Sequence, residues 1–464
     1  MMWGRIVADA DWRNLYDVVV VGAGACGLVV AATVASANAQ SSVLLLEKDT
    51  RMRCNAQLAG GMIQAAATRF QRTAGIRDDS PELMAEDILR KNHGRGDATL
   101  ILALCHESAR VVHWLADTVG IPIEFAPETH WIGHSRPRMH AHPMRSGAPL
   151  IDALRSFVSR LPNVTFLDPA PCRGLHTSNG AVTGVDIEYQ DRRASINARK
   201  VVLAVGGFAA NPTMVAQYIP EMIGAPYVGS ESNTGEGIVW GMTAGAAIER
   251  MSAYQGLGFV LHGLGTRLNP GVVSAGGIMV DRTGRRFARE DQGYSEWAAV
   301  VLRQPGGIAV AIWDEWIHER LRHTNTMVES ERAGGIHRFH SAADLAQRFH
   351  MDVSTFIGTL QEYERTVAQS QDRFGRVLLG HALTPPLYAA TVTGALAHTQ
   401  GGLKIDANGH VLHSNGQPVG HLYAGGGTAA GISGDGADGY TSGNGLLMAF
   451  GLGRIIGQNI LGSL

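Results

Sequence analysis

Three glycines in the spacing Gly22-x-Gly24-x-x-Gly27 follow a β-branched run at residues 18–21 and open a stretch of small apolar residues. Each has its own physical use. The first permits a tight turn, the second lets the backbone approach a pyrophosphate, and the third lets a helix pack closely on a strand. The helix N-terminus then faces the phosphate charge. Glu47 follows the next apolar run, at residues 43–46. There a carboxylate accepts hydrogen bonds from ribose hydroxyls and repels a 2′-phosphate, so the pattern predicts an adenine dinucleotide. A second glycine-rich stretch, GGGTAAGISGDGADGYTSGNGLLMAF, covers residues 425–450. A nicotinamide dinucleotide gives the C-terminus no reason to return to the same ligand. FAD is longer, and its isoalloxazine end needs a cradle of its own. A helix starting near Ser442 or Gly443 and aimed at the pyrimidine edge would stabilise the negative charge of reduced flavin. The expected cofactor is FAD, held without a covalent bond.

These residues need a scaffold that brings both chain ends together. DVVVVGAGACGLVVAATVASA reads as strand, glycine turn and buried helix, and VLLLEKD, residues 43–49, as a second buried strand. That unit implies a parallel sheet. VVLAVGGF (residues 201–208) and HLYAGGG (residues 421–427) are further strand-to-glycine junctions, and LLMAFGLGRIIGQNI reads as a helix. Between residues 251 and 397 such signals vanish, and aromatic, charged and helical patterns such as ADLAQRFHMDVSTFIGTLQEYERTV take over. The expected architecture is α/β: a Rossmann-like, glutathione-reductase-like FAD-binding domain from residues 14–250 and 398–464, with an inserted α+β cap, residues 251–397.

Composition narrows the function classes. A chain of 464 residues exceeds one simple core. Its 39 basic and 41 acidic residues are interspersed, which favours neither nucleic acid nor an anionic membrane surface as partner. Cys26, Cys54, Cys105 and Cys172 form no C-x-x-C pair, so disulfides and zinc ribbons are poorly supported and a reducing, cytoplasmic setting fits. The start, MMWGRIVADADWRNLYD, lacks a signal-peptide pattern. The apolar stretch at residues 18–37 is interrupted by Gly22, Gly24 and Gly27, which argues against a membrane span. No metal is expected: His134, His140 and His142 lack acidic or cysteine companions nearby.

Taken together, DVVVVGAGACG, NAQLAGGM (residues 55–62), VLAVGGF, NTGEGIVWGMTAGA (233–246), DRTGRRFAREDQGY (281–294), PPLY (385–388), HTQGGLKID (398–406) and the C-terminal cradle resemble the fumarate reductase/succinate dehydrogenase flavoprotein superfamily, in its soluble single-chain branch. The resemblance covers most of the chain. It implies FAD contacts at Gly22, Gly24, Ala25, Gly27, Glu47, Lys48, Asn55, Gly60, Gly61, Gly206, Gly207, Gly426, Gly443, Asn444 and Leu446. Cys54 lies near where membrane-bound relatives attach FAD through histidine, and Arg145-Ser146-Gly147 where relatives approach the flavin.

Fumarate reductases of this superfamily place two arginines and a histidine around the substrate carboxylates. Here the segment Arg286-Phe287-Ala288-Arg289-Glu290 leads to Tyr294 where one arginine stands, and Tyr440 occupies the place of the other; the histidine is kept as His398. A dicarboxylate buried without its arginines would be poorly compensated. Two phenols suit a neutral carbonyl compound, and the pattern is similar to that of the 3-ketosteroid dehydrogenases. By that resemblance Tyr440, with an amide near residues 441–444, holds the ketone oxygen, Tyr294 takes a proton from the adjacent carbon, and FAD N5 takes a hydride from the next. A developing enolate needs preorganised donors, and a phenol acts as base only where its surroundings stabilise phenolate. The steroid enzymes give the cap tyrosine a second tyrosine from the FAD domain. This sequence has none between Tyr16 and Tyr189, leaving His130, His140 or His142 as substitutes. The expected activity is dehydrogenation of a cyclic ketone, with His398 an auxiliary donor and an external acceptor (quinone, oxygen or another protein) taking the electrons. Alternatives are an enone or enoate reductase and a non-catalytic flavin-binding protein.

Overall fold

The computed structural model describes residues 15–127 and 131–464. His130 and most of the N-terminal segment discussed above lie outside the described residues. The chain divides into two compact units, one of residues up to 219 with 229–254 and 398–464, the other of residues 220–228 and 255–397.

The first unit is organised by a parallel sheet. β1 (Leu15–Val21) runs beside β2 (Val43–Leu46), and α1 (Ala25–Ala37) connects them. Strand Arg192–Leu203 lies on the other side of β1, then Pro418–Ala424; Val164–Leu167 lies outside β2. Antiparallel strands Cys172–Ser178 and Ala181–Tyr189 extend one edge, and His410–Leu412 pairs with Pro418–Ala424. The parallel strands are apolar on both faces, as a doubly covered sheet demands. β2 stops at Leu46, so Glu47 stands just beyond it rather than inside it.

α1 is buried from Ala25 through Ala35, the pattern of a helix enclosed on all sides. Glycine makes that possible. An added Cβ on Gly453 would lie 3.0 Å from the Cys26 carbonyl oxygen, and one on Gly457 2.7 Å from Thr33 Cβ. The C-terminal helical run, Asn444–Leu446, a π-helical turn at Leu447–Gly451, and Leu452–Leu461, thus lies directly on α1. The apolar segment at residues 18–37 is strand, turn and helix, and among the described residues no helix is long and apolar enough to cross a membrane.

The second unit is built on an antiparallel sheet in the order Tyr254–Leu261, Leu387–Thr399, Ile308–Asp314, Ile278–Val280. Alternation along its strands separates two cores. Ala309, Ala311 and Trp313 face one with Trp297 and Tyr388, while Val310 and Ile312 face the other with Phe356 and Tyr363. The helical stretch at residues 343–367 is two helices, Ala342–Arg348 and Val353–Gln369. His350 takes a left-handed φ of 56° between them, and the Asp352 carboxylate caps the second helix by accepting from Thr355 N at 2.7 Å.

The tightest contact of the glycine turn is testable. A Cβ at Gly27 would stand 1.8 Å from the Gly22 carbonyl oxygen. Gly27→Val is expected to destabilise the apoprotein by about 1–3 kcal/mol, read as a lowered urea midpoint. An unchanged midpoint would mean that strand and helix do not approach this closely.

Candidate functional site

The five parallel strands end at one level. Val21 is in register with Leu46 and Leu203, Leu46 with Leu167, and Leu203 with Ala424. Hydrogen bonds carry the alignment one residue further: Gly22 N donates to Leu46 O at 2.8 Å, Glu47 N to Leu167 O at 3.0 Å, Ala204 N to Val21 O at 2.8 Å and Gly425 N to Leu203 O at 3.0 Å. The fingerprint turn, Glu47, Gly206–Gly207 and Gly426 therefore emerge together at the carboxyl edge, where ligands of open α/β sheets bind.

The glycines there are not equivalent. Gly22 and Gly27 are closed off by backbone carbonyls, and added Cβ atoms at Gly206 and Gly207 would meet Asn233 Oδ1 at 1.8 Å and Thr399 Oγ1 at 2.1 Å. These positions serve close packing. Gly24 is open, its ideal Cβ meeting only Cys54 Cβ at 3.8 Å, and Gly60 is open to within 4.0 Å of Arg145 O. Gly24 caps α1 without a side-chain hydrogen bond, and the first turn, which begins with Ala25, carries no acidic residue, so the helix itself supplies no anion to its positive end. Glu47 folds over the turn, Oε2 accepting from Ala23 N at 2.8 Å. The Lys48 ammonium is committed to Glu236 at 2.8 Å and to Ser232 O at 3.0 Å, and Asn55 Oδ1 to Ser230 N at 2.7 Å. Gly61 and Gly147 pack backbone on backbone: their ideal Cβ atoms fall 2.6 Å from Ser146 O and 1.7 Å from Ala56 O, so Arg145-Ser146-Gly147 supports the loop at Gly60.

The C-terminal cradle meets β3 (Ile63–Gln64). Gly443, at a φ of 92°, starts the terminal helical run, and a Cβ there would meet Gln64 Cγ at 2.9 Å. Asn444 N donates to Thr441 O at 3.1 Å, which removes that amide from the donors expected across residues 441–444. The loop before it is fastened from outside: Asn92 Nδ2 donates to Ile432 O at 2.9 Å, Arg95 pairs with Asp438 at 2.9 Å, and His134 Nε2 donates to Ser442 O at 3.1 Å. Among the described residues, Gln64 Oε1 and Thr441 Oγ1 are buried without a hydrogen-bond partner. A ring presenting N–H and C=O groups along one edge fits that polar deficit. Tyr440 is buried, its ring 5.8 Å from that of His398 at 73°. Desolvation holds the His398 imidazole down to about 4, so it is neutral near pH 7. Leu446 completes the first turn, Asn444–Leu446.

In the second unit Tyr294 follows a short 3₁₀ turn, Glu290–Gln292, and a glycine at a φ of 123°. Gly258 N donates to Tyr294 O at 3.0 Å and Gly256 N to Ser295 Oγ at 3.0 Å, tying the turn to strand Tyr254–Leu261. Gln255 Nε2 reaches Tyr294 Oη at 3.3 Å. Beneath lies a buried ionic group: Arg286 binds Glu290 and Asp372, each at 2.6 Å, and Arg376 binds Glu290 at 3.1 Å. Gln255 is thus a neighbour of Tyr294 that the search for a tyrosine or histidine passed over. His140 is committed elsewhere, Nδ1 donating to Arg138 O at 2.9 Å and Nε2 meeting Thr68 Oγ1 at 2.8 Å, and His142 Nδ1 accepts from Met144 N at 3.1 Å. Among the described residues no three metal-ligating side chains converge.

A family model described as FAD binding domain matches residues 17–446. The chain belongs to this family. It is similar to an NADH:fumarate oxidoreductase of Klebsiella pneumoniae, 28% identical over 90% of this chain but only 45% of the relative, so it spans less than half of that protein. Among solved structures, an open-conformation flavocytochrome c3 fumarate reductase superposes with a TM-score of 0.80 at 25% identity, covering 97% of this chain and 78% of that one. A 3-ketosteroid-Δ4-(5α)-dehydrogenase from Rhodococcus jostii RHA1 superposes with a TM-score of 0.79 at 24% identity, covering 99% of this chain and all of the other, and shares the fold. The protein is an FAD-dependent oxidoreductase, and its open Gly24, the start of α1 without a side-chain cap and the buried unpartnered polar atoms fit that cofactor.

In this flavoprotein Cys54 caps the short helix Asn55–Leu58, and burial raises its thiol above the ordinary range, so the sulfur stays protonated and weakly nucleophilic. Sequence patterns gave no signal for Asn92, Arg95 and His134 as fasteners of the cradle, because they act from distant helices and loops.

Two outcomes follow for the flavin unit. Glu47→Ala is expected to weaken FAD binding at least about tenfold, the loss of one or two hydrogen bonds to a charged group, in a fluorescence titration; unchanged affinity would remove Glu47 from the site. Burial lowers His140 from 6.5 to about 4, so the unfolded chain binds its proton first and its contribution to stability, full above about pH 6.5, is lost as pH falls toward 4. Between pH 7 and pH 4.5 the wild type should lose more unfolding free energy than His140→Gln, measured in urea. Equal losses would count against a titrating buried imidazole.

Proposed function

We propose that this flavoprotein catalyses α,β-dehydrogenation of a cyclic ketone, a 3-oxosteroid or a smaller oxo-ring. The observation that carries the reading is the pairing of Tyr440 with His398 beside the helix start at Gly443: a phenol, and an imidazole that desolvation keeps neutral. Neutral donors stabilise the oxygen of a ketone as it gains enolate character, whereas a carboxylate placed there would find no opposing charge from either group. Tyr440 donates to the ketone oxygen and His398 assists. Tyr294 is assigned the α-proton. Gln255 supports it, because a donor to the phenol oxygen favours the phenolate that a base must become. Bound FAD supplies the acceptor for the hydride leaving the β-carbon, and an external oxidant then takes both electrons.

Reduction of an activated alkene is the second reading, favoured by the fumarate oxidoreductase and fumarate reductase among the relatives. The residues serve both directions, and the redox partner sets which one runs.

Anaerobic mixing with a 3-oxosteroid or a cyclohexanone is expected to bleach the flavin absorbance. Tyr440→Phe should slow that bleaching about a hundredfold or more, and Tyr294→Phe should abolish it with FAD still bound. Ketones that leave the flavin oxidised, while enones or fumarate reoxidise the reduced protein, would overturn dehydrogenation in favour of reduction.

A further inference from the structure

A chain of buried side chains runs behind His398. Gln64 Nε2 donates to Asn444 Oδ1 at 2.6 Å, and Asn444 Nδ2 donates to Ser433 Oγ at 3.0 Å. Ser433 Oγ donates to Gln400 Oε1 at 3.0 Å, and Gln400 Nε2 lies 3.1 Å from His398 Nδ1. Gln64, Ser433 and Asn444 have no exposed surface and Gln400 only 5%. The backbone pins Gln400 on both sides, its N donating to Ala253 O and its O accepting from Gly431 N, each at 2.7 Å.

Such a chain can run in only two senses, because a hydroxyl that accepts from one amide must donate to the next and each amide has one oxygen end and one nitrogen end. Run forward, Gln400 donates to His398 Nδ1, and the unsatisfied group at the far end is one carbonyl oxygen, Gln64 Oε1. Run backward, Gln64 would bury an NH₂ in its place. Buried donors without partners are rarer than under-satisfied carbonyls, so the forward sense is favoured.

We propose that Gln64, Asn444, Ser433 and Gln400 act as positioning residues that fix His398 as the tautomer protonated on Nε2, making it a hydrogen-bond donor to the substrate oxygen. This rests on the reading of His398 as an auxiliary donor in ketone chemistry. Nδ1 accepts from Gln400 Nε2 at 3.1 Å, a shorter contact than its 3.3 Å approach to the Thr399 carbonyl oxygen, which only a protonated Nδ1 could use; among the described residues Nε2 makes no hydrogen bond, so its N–H is available to an incoming oxo group. Gly445 gives the ring its place: a Cβ there would lie 3.0 Å from His398 Cε1 and 3.1 Å from Nε2. A backward chain would protonate Nδ1 and turn a lone pair toward the substrate, which repels a developing enolate.

The test is nitrogen NMR of the holoenzyme with ¹⁵N-labelled histidine, in which protonated and unprotonated ring nitrogens resonate far apart. The expected wild-type result near pH 7 is an unprotonated Nδ1 and a protonated Nε2 for His398. Gln400→Glu offers only acceptors and should move the proton to Nδ1, with at least tenfold slower flavin bleaching by ketone. Ser433→Ala, two links away from the ring, should mix the tautomers, and Ser433→Thr, which keeps the hydroxyl, should restore the wild-type pattern. Protonated Nδ1 in the wild type, or a tautomer unmoved by both Gln400→Glu and Ser433→Ala, would overturn the relay. The NMR result needs no substrate: a correct tautomer with no ketone turnover would sink the ketone reading alone, and turnover with the opposite tautomer would sink the relay alone.

Discussion

The flavin unit depends on a common register. Five parallel strands are paired so that Val21, Leu46, Leu167, Leu203 and Ala424 stand at one level, and the chain leaves the sheet at the same edge each time. Bends so close together leave little room for side chains. At Gly22 a Cβ would fall 2.4 Å from the Ala204 carbonyl oxygen, and the third glycine packs directly onto the first. Shifting one strand by a residue would separate the fingerprint turn from Glu47 and from the junctions at Gly206 and Gly426, and it would reverse the faces of every apolar side chain on that strand.

Both units bury charges, Arg138 pairing with Asp79 and Asp87 in the first, but the groups beside Tyr294 and His398 are built differently. In the second, Arg286, Glu290, Asp372 and Arg376 form a compact group of opposite charges beneath the Tyr294 turn, and Arg376 also donates to the Gly277 carbonyl at 2.9 Å. Removing one member would leave an uncompensated buried charge, which holds the geometry strictly. In the flavin unit the side chains behind His398 are neutral amides and a hydroxyl. A neutral network orients a ring without adding a net charge near it, which would suit the donors proposed for an uncharged oxygen.

Among the described residues, two buried atoms without partners lie beside the helix start at Gly443. Gln64 Oε1 and Thr441 Oγ1 lack hydrogen bonds, while Gly24 and Gly60 have space where their packed neighbours have none. Buried polar groups are nearly always satisfied in a finished structure. Both atoms belong to the segments that meet at Gly443, Ile63–Gln64 and the C-terminal cradle, where the edge of a bound ring would supply the missing partners.

Spacing along the chain sufficed for the strand, glycine turn and helix at residues 18–37, for FAD as cofactor, and for a C-terminal helix start near Ser442 or Gly443, which the structure puts at Gly443, because local backbone geometry and helix-end electrostatics are encoded by neighbouring residues. The break at Phe349–Asp352 was hidden inside a helical pattern, since a left-handed residue and an aspartate cap are invisible to periodicity. Only the tertiary structure decided that Gly206 and Gly207 face Asn233 and Thr399, that His134 fastens the cradle, that Gln255 stands at Tyr294, and that Gln400 leads through Ser433 and Asn444 to Gln64. Hydrogen-bond partners 11 to 380 residues apart leave no periodic trace. Their pairing depends on which side chains the packed strands and helices carry within about 3 Å of one another, the reach of a hydrogen bond.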